Sequence, residues 1–394
     1  MRPFEGIKVV DVTHVLAGPF AAYQLAVLGA DVIKIEDPSD CDQSRHSGSD
    51  DKLNKENMGT GYLAQGSNKR AITLNLKTEK GREVLKKLAA DADVFVQNYR
   101  PGAFAALGLG YEDLKKINPK LIYVSMSAFG QEGPRGTHTA YDHAIQAISG
   151  IMASTGTPEV NPLKCGSPII DYSTGTMAAF SISAALFQRT RTGKGQHIDC
   201  SMLDVALMLQ ASHITGYFYS GKDVAPKGNL HQYASGNLYD TKDGKVQLAA
   251  SNNRQNERLM KAVGRPDLIG DGYDHRKKNF QKETDALAEI LKGKTAQEWE
   301  DYLQANHVPA VRLRHMAEII RDPQIDTRKI IHKHDSVPGV KGEVTVPLAA
   351  FKYEHGGPSI ETPPPRLGEH TDSVLKDLGY TEADIAAMRA GGVL

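Results

Sequence analysis

Two β-branched runs flanking a helix-forming stretch open the chain and confine it to one fold class. Ile7-Lys-Val-Val-Asp-Val12 reads as a short strand closed by Gly18-Pro19, residues 20–28 as a helix of good formers, and Ala30-Asp-Val-Ile-Lys-Ile-Glu36 as a second strand. A strand, a helix and a strand within about thirty residues make a βαβ unit, whose strands are parallel. The alternation continues with an amphipathic helix over 78–91 that presents Val84, Leu85, Leu88 and Ala89 on one face. Strands are predicted at Ala92–Gln97 and Leu121–Ser125. Gly175–Arg189 is apolar nearly all round and is expected to be a buried helix. A short strand at His197–Cys200 and an apolar helix over Ser201–Tyr219 follow. The fold class is α/β around a parallel sheet.

The character changes near Pro226. The run Gly236 to Ala250 reads as a hairpin turning at Asp243-Gly244, and charged helices are predicted at 253–263 and 283–292. A further helix opens on the capping box Thr295-x-x-Glu298. These elements suggest a smaller α+β domain. The expected layout is residues 1–200 in a large domain, 201–225 as a linker helix, 226–325 as the small domain, and 326–394 as a linker and return to the large domain. In that return, Pro363, Pro364 and Pro365 mark an extended approach to a helix at 372–378.

Lys and Arg total 47 and Asp and Glu total 47, so the formal charge is zero and no basic block invites nucleic acid or an anionic membrane. Cys41, Cys165 and Cys200 lie far apart, which excludes a disulfide scaffold and a thiolate zinc site. The charged start Met1-Arg-Pro-Phe-Glu-Gly-Ile-Lys lacks the apolar run of a secretion signal, and no stretch reaches the ~20 apolar residues of a membrane helix. The expectation is a cytoplasmic protein.

A βαβ opening invites a dinucleotide, but no Gly-x-Gly-x-x-Gly joins the first strand to its helix, and no Walker lysine loop is present. His332-x-His334 and the pair His138 and His143 lack helical ligand spacing and read as surface histidines, so no metal is expected. Asp171 stands apart. The run Ser167-Pro-Ile-Ile-Asp-Tyr-Ser-Thr-Gly175 places it after a short apolar strand and before a buried helix, where open α/β sheets gather ligand-contacting groups. Local physics leaves two roles open there, a helix N-cap or a catalytic base or nucleophile.

Several ordered blocks carry a family likeness over nearly the whole chain. They are Phe4 to Pro19, Gly29 to Glu36, Asn68 to Lys77, Gln97-Asn-Tyr-Arg-Pro-Gly102, Asp171-Tyr-Ser-Thr-Gly175, Thr192-Gly-Lys-Gly-Gln196 and Leu367-Gly-Glu-His-Thr-Asp372. The chain resembles the class III CoA-transferases, the group of formyl-CoA transferase, carnitine CoA-transferase and 2-methylacyl-CoA racemase. The resemblance implies a Rossmann-like large domain built from both chain ends, a small middle domain and an interlocked homodimer. It also implies Asp171 as the nucleophile, which forms aspartyl anhydride and aspartyl-CoA thioester intermediates.

By matched blocks it places coenzyme A against Val15, Leu16 and Ala17, against Leu74, Asn75, Leu76 and Lys77, and against Asn98, Tyr99 and Arg100, with Tyr141 lining the active site. Lys77 and Arg100 would be phosphate partners, and backbone amides near Asp171 would stabilise tetrahedral oxyanions. Implied substrates are an acyl-CoA and a small carboxylic acid, with short dicarboxylates and succinyl-CoA expected and no prosthetic group. The alternative within the family is α-proton exchange on a 2-methylacyl-CoA. Against it, the racemase branch has a His-Asp pair where this chain reads Tyr141-Asp142. A basic residue usual after the Arg-Pro-Gly turn is replaced by Ala105-Ala106. The glycine-rich loop and active-site tryptophan of oxalate-using formyl enzymes are unmatched, the sole Trp299 lying in the small domain, so oxalate is not the expected acceptor.

Overall fold

A computed structural model describes residues 1–394. Six strands form the main sheet: β1 (Lys8–Asp11), β2 (Asp31–Glu36), β3 (Lys69–Thr73), β4 (Val94–Gln97), β5 (Ile122–Ser127) and β6 (Gln196–Ser201). Their order is β3-β2-β1-β4-β5-β6, and every neighbouring pair is parallel. This is the doubly wound arrangement, with its topological switch between β1 and β4.

The strand pleat sends alternate residues to opposite faces, and both faces are covered. Val9, Val32, Val94 and Val124 pack with Ala21, Ala22 and Leu25 of the helix Ala17–Val27 and with Ala178 and Ile182 of the helix Ile169–Thr192. On the other face Val10, Ile35, Ile72 and Phe95 meet Val84, Leu85 and Leu88 of the helix Glu79–Ala90, together with Val374, Leu375 and Met388 from the chain's end.

The chain divides into two units. One comprises Met1–Ile151, Lys164–Asp223 and Asp326–Leu394, and the other Met152–Leu163 and Val224–Ile325. The segment Met152–Leu163 thus groups with the second unit although it falls within residues 1–200. The stretch 201–225 is no single linker helix: it breaks at Gln210 into Met202–Leu209 and Ala211–Ser220, both in the first unit. In the second unit β7 (Leu238–Asp240) and β8 (Lys245–Leu248) form the expected hairpin. A third antiparallel strand, β9 (Ala310–Arg312), joins β8. The Thr295 capping box is present, and Trp299 sits in that unit's core, its indole N–H donating to the Leu291 carbonyl at 2.7 Å.

Three readings need correction. No strand precedes Asp171, because Pro168 has no N–H for a ladder; the long helix instead begins at Ile169, and Asp171 is its third residue. That helix is not buried all round, since Phe180 and Phe187 are 66% and 60% exposed. His334 is not a surface histidine. It ends β10 (Ile331–His334), which pairs with β11 (Val344–Pro347), and it is buried with its Nε2 3.0 Å from Ser67 Oγ.

Three fully buried ion pairs tie together β1, β2, the first residue of β3 and the loop that follows β2. Lys69 Nζ meets Asp11 at 3.0 Å, Lys34 Nζ meets Asp42 at 2.7 Å, and Arg45 meets Glu36 at 2.7 Å. Arg45 also lies 3.7 Å over the Tyr62 ring, and both Arg45 and Tyr62 donate to the Pro365 carbonyl. Removing one member of a buried pair strands its partner's charge, whereas an exposed pair contributes little. Arg45→Met is therefore expected to cost about 3–5 kcal/mol, read as a large fall in the urea midpoint. Lys8→Met, which removes the exposed pair of Lys8 with Asp91, is expected to leave that midpoint nearly unchanged.

Candidate active site

The chain leaves β1 at Asp11 and enters its helix at Ala17, and the intervening loop forms one side of the switch-point crevice. Val15 adopts φ +70°, the left-handed region that a β-branched residue rarely enters. It is held there from both sides: its N–H donates to Asp42 Oδ1 at 2.9 Å and its carbonyl accepts from Gln65 Nε2 at 2.7 Å. Beyond β4, Asn98 clasps His14, accepting from its N–H at 2.9 Å and donating to its carbonyl at 2.8 Å. His14 Nε2 and the Tyr99 hydroxyl lie 2.6 Å apart. Burial, reinforced by the nearby Lys34 charge, pushes the His14 pKa down, so the ring is neutral near pH 7.

The long helix brings Asp171 to this loop. A Cβ on Gly175 would stand 2.6 Å from the Ala17 carbonyl, so only glycine permits this approach of the two helices. Pro168, at the start of the helix, offers no side-chain cap, and Asp171 does not serve as one. The cap is Asp142, from the helix Asp142–Ile148: its Oδ2 accepts from the N–H groups of Ile170 at 2.7 Å and Asp171 at 3.1 Å. Gln146 holds the Asp142 carboxylate by a 2.5 Å bond to Oδ1, and Gln146 in turn accepts from the Cys165 N–H at 2.8 Å.

Asp171 lies mostly out of water, and its pKa is pushed up to about 7, first by burial and then by the Asp142 charge. A helix N-terminus ordinarily favours a carboxylate, but here those two opposing effects win.

His14, Val15, Leu16, Ala17, Asn98, Tyr99, Tyr141 and Asp171 line one cavity of about 240 Å³, closed by Met126, Ser127, Ala128, Ala140, Thr174 and Met202. A second hollow of about 110 Å³ takes Leu74, Leu76, Lys77 and again Tyr99 into its walls, with Glu36, Asp37 and Phe104. Tyr99 is common to both walls. Two residues matched by the resemblance stand apart from these linings: Arg100, which is exposed, and Asn75, whose amide donates to the Gly392 carbonyl at 3.1 Å. Lys77 is largely exposed and 3.6 Å from Asp37. Tyr141 is 57% exposed at the cavity mouth.

His14 and Thr174 went unremarked in the sequence although both fall inside quoted blocks. The signal for each was its position beside a matched residue at a strand's carboxyl end or helix start. A larger hollow of about 630 Å³, lined by Phe4, Ile7, Asp93 and Arg189, lies at the amino ends of β1 and β4, the wrong edge for ligands in this fold. The Arg189 guanidinium there is already paired with Asp93 at 2.6 Å. No group of three or more His, Cys, Asp or Glu side chains is placed to hold a metal ion, and no helix is long and apolar enough to cross a membrane.

The model of CoA-transferase family III matches residues 4–371. The chain belongs to that family. The transferase is 35% identical to the succinyl-CoA:glutarate CoA-transferase of Homo sapiens over 100% of this chain and 90% of that protein. It is also 35% identical to the acetyl-CoA:oxalate CoA-transferase of Acetobacter aceti, over 97% of each. Among solved structures, a CAIB/BAIF family protein from Brucella suis superposes with a TM-score of 0.83 at 33% identity, covering 96% of this chain and 99% of that one.

The two carboxylates give a pH dependence. A like charge beside an acid raises its pKa, so neutralising Asp142 lowers that of Asp171. If ionised Asp171 is the reacting group, the acid limb of kcat/KM in Asp142→Asn is expected to lie at lower pH than in the wild type. A limb that stays in place would show that Asp171 does not set it.

Proposed function

We propose that this CoA-transferase moves CoA from an acyl-CoA such as succinyl-CoA to a short dicarboxylic acid, with Asp171 as the covalent nucleophile. The observation that carries the reading is a carboxyl group raised to about 7 on the wall of a small cavity at the switch point of the sheet. Such a carboxylate is more basic, and so more nucleophilic, than an ordinary one, yet is still substantially ionised near neutral pH.

An Asp171 oxygen attacks the donor thioester carbon; the new C–O bond forms, the C–S bond breaks, and CoA leaves as thiolate. The thiolate then attacks the aspartyl carbonyl and displaces the donor acid, leaving CoA as a thioester on Asp171. The acceptor carboxylate repeats the two exchanges in reverse order and restores Asp171. Each step swaps one anion for another, so no net proton moves. Exclusion of water protects the anhydride, and an Asp171 that lies mostly out of water in the cavity wall suits that need.

Leu16, Met126 and Met202 offer apolar wall to a few methylenes, while His14, Ser127 and Tyr141 offer polar groups to a second carboxylate. Relatives named for glutarate and for oxalate at equal identity make both acids part of the acceptor panel, although the unmatched glycine-rich loop argues against oxalate. Tyr99, standing between the two hollows, would be passed by a ligand reaching from Asp171 toward Lys77, which supports assigning the extended CoA moiety to both. We also propose a homodimer. Phe180, Phe187, Met208, Phe218 and Tyr219 are 60–95% exposed along the helices Ile169–Thr192, Met202–Leu209 and Ala211–Ser220, more apolar surface than a lone soluble chain normally leaves in water.

Asp171→Asn is expected to retain CoA binding and to lose transfer by orders of magnitude, because an amide cannot form the anhydride. Wild type with donor acyl-CoA and hydroxylamine should yield a hydroxamate at Asp171, seen by peptide mass spectrometry. Transfer by Asp171→Asn near the wild-type rate, with deamidation excluded, would sink the mechanism. For the assembly, light scattering at micromolar concentration should give twice the 42.8 kDa chain mass, and Phe180→Glu combined with Phe218→Glu should shift it to the monomer.

A further inference from the structure

Hydroxyl groups inside a helix usually turn back to a carbonyl three or four residues earlier. Five in the helix Ile169–Thr192 do so. Thr176 donates to Tyr172 at 2.8 Å, Ser181 to Ala178 at 2.8 Å, Ser183 to Ala179 at 2.7 Å, Thr190 to Phe187 at 2.7 Å and Thr192 to Gln188 at 3.2 Å. Thr174 does not. Its side chain is fully buried and its hydroxyl has no partner. A buried polar group left unpaired is unfavourable and calls for a reason. Thr174 lies one turn beyond Asp171, on the same side of the helix, and both residues line the 240 Å³ cavity.

The cavity has a second peculiarity. Oxyanions in acyl transfer are commonly met by backbone N–H groups, and the resemblance led us to expect such amides near Asp171. Four of the amides there are already engaged: Ile170 and Asp171 donate to Asp142, His14 donates to Asn98, and Val15 donates to Asp42. The Tyr99 hydroxyl is engaged with His14. Of the other hydroxyls in the wall, Ser127 accepts from the Gly130 N–H and Tyr141 reaches Gln43 at 3.5 Å, so Thr174 is the one without any partner.

We infer that the Thr174 hydroxyl donates a hydrogen bond to the acyl oxygen of the group reacting at Asp171, which makes Thr174 a catalytic residue. The inference rests on the reading of Asp171 as nucleophile. As an Asp171 oxygen bonds to the thioester carbon, the carbonyl electron pair moves onto oxygen, and that oxyanion accepts from Thr174 Oγ1. When the pair returns, the C–S bond breaks and thiolate departs; the Thr174 proton stays on its own oxygen. The same donor serves the aspartyl anhydride and thioester steps if their reacting oxygens occupy the same place.

The test compares Thr174→Val, which keeps the shape and removes the hydroxyl, with Thr174→Ser, which keeps the hydroxyl. With succinyl-CoA and glutarate, Thr174→Val is expected to lose roughly 100- to 1,000-fold in kcat, as for removal of one oxyanion donor, with KM for the acyl-CoA little changed. Its thermal midpoint should equal or exceed that of the wild type, because an unpaired buried hydroxyl has been replaced by a methyl. Thr174→Ser should retain most of the rate. Three results would overturn the inference: a wild-type kcat in Thr174→Val, equal impairment in Thr174→Ser, or a loss of rate that tracks a fall in the midpoint. Asp171→Asn, assayed in parallel, separates the two claims. If it is inactive while Thr174→Val is fully active, only the role of Thr174 fails; if it transfers CoA, the nucleophile itself is misassigned.

Discussion

The buried ionic lattice that ties β1, β2 and β3 together is the constraint on which the cavity depends. Lys34, Asp42, Lys69, Asp11, Glu36 and Arg45 pair with one another, and further bonds from them reach the loop between β1 and its helix and the first turn of that helix. Lys34 Nζ donates to the Thr13 carbonyl at 2.9 Å, Lys69 Nζ to the Pro19 carbonyl at 2.8 Å, and Asp42 receives the Val15 N–H. Burial works against the Asp11 charge, but Lys69 and Lys34 outweigh it and hold the carboxyl below its usual range. Buried pairs of this kind often add little net stability once desolvation is counted. Here they impose shape: a left-handed valine, costing on the order of 1–3 kcal/mol, persists because its neighbours leave it no other conformation.

The other wall of the cavity follows a related logic. A helix that starts on proline lacks its own cap, and Asp142 supplies one from a different helix. That single carboxylate pins the helix start, occupies the first free amides and sets a second negative charge near Asp171. Positioning and electrostatics are therefore coupled in one residue. The effect on Asp171 is opposite to what a bare helix N-terminus would produce, since burial and the neighbouring charge both favour the protonated acid.

Much of the fold was legible because its signals are local. Val9 and Val10, adjacent in sequence, go to opposite faces of a doubly covered sheet, and the β-branched runs around them announce that arrangement. The Thr295 capping box and the Asp243-Gly244 turn are equally local. Non-local features escaped the sequence. β9 is recognised as a strand only by pairing with β8, the long helix was started late because Asp142 caps it from 29 residues away, and His334 is buried by a contact with Ser67 across 267 positions. At the site, Asp171, Tyr99 and Val15 were legible through the family blocks. Thr174 was not, because an unpaired hydroxyl is a fact about neighbours that are missing.

The tail of the chain completes the edge of the sheet. The His370 N–H donates to the Ala71 carbonyl at 2.8 Å, Thr371 Oγ1 receives the Thr73 N–H at 3.1 Å, Asn68 bonds to Ser359, Glu361 and Thr362, and the Asn75 N–H reaches the Val393 carbonyl at 2.8 Å. During synthesis, which delivers the amino-terminal half first, β3 therefore leaves the ribosome with an open edge, and the residues that follow it have nothing to rest on. An open parallel edge is a template for unwanted pairing. The nascent sheet must wait through some three hundred residues of translation (Thr73 to Thr371 are 298 apart) before its own end arrives to cover it. Productive folding of this sheet is thus tied to the synthesis of residues some three hundred positions beyond its edge strand, and the interval before they appear is when that edge is most exposed to aggregation.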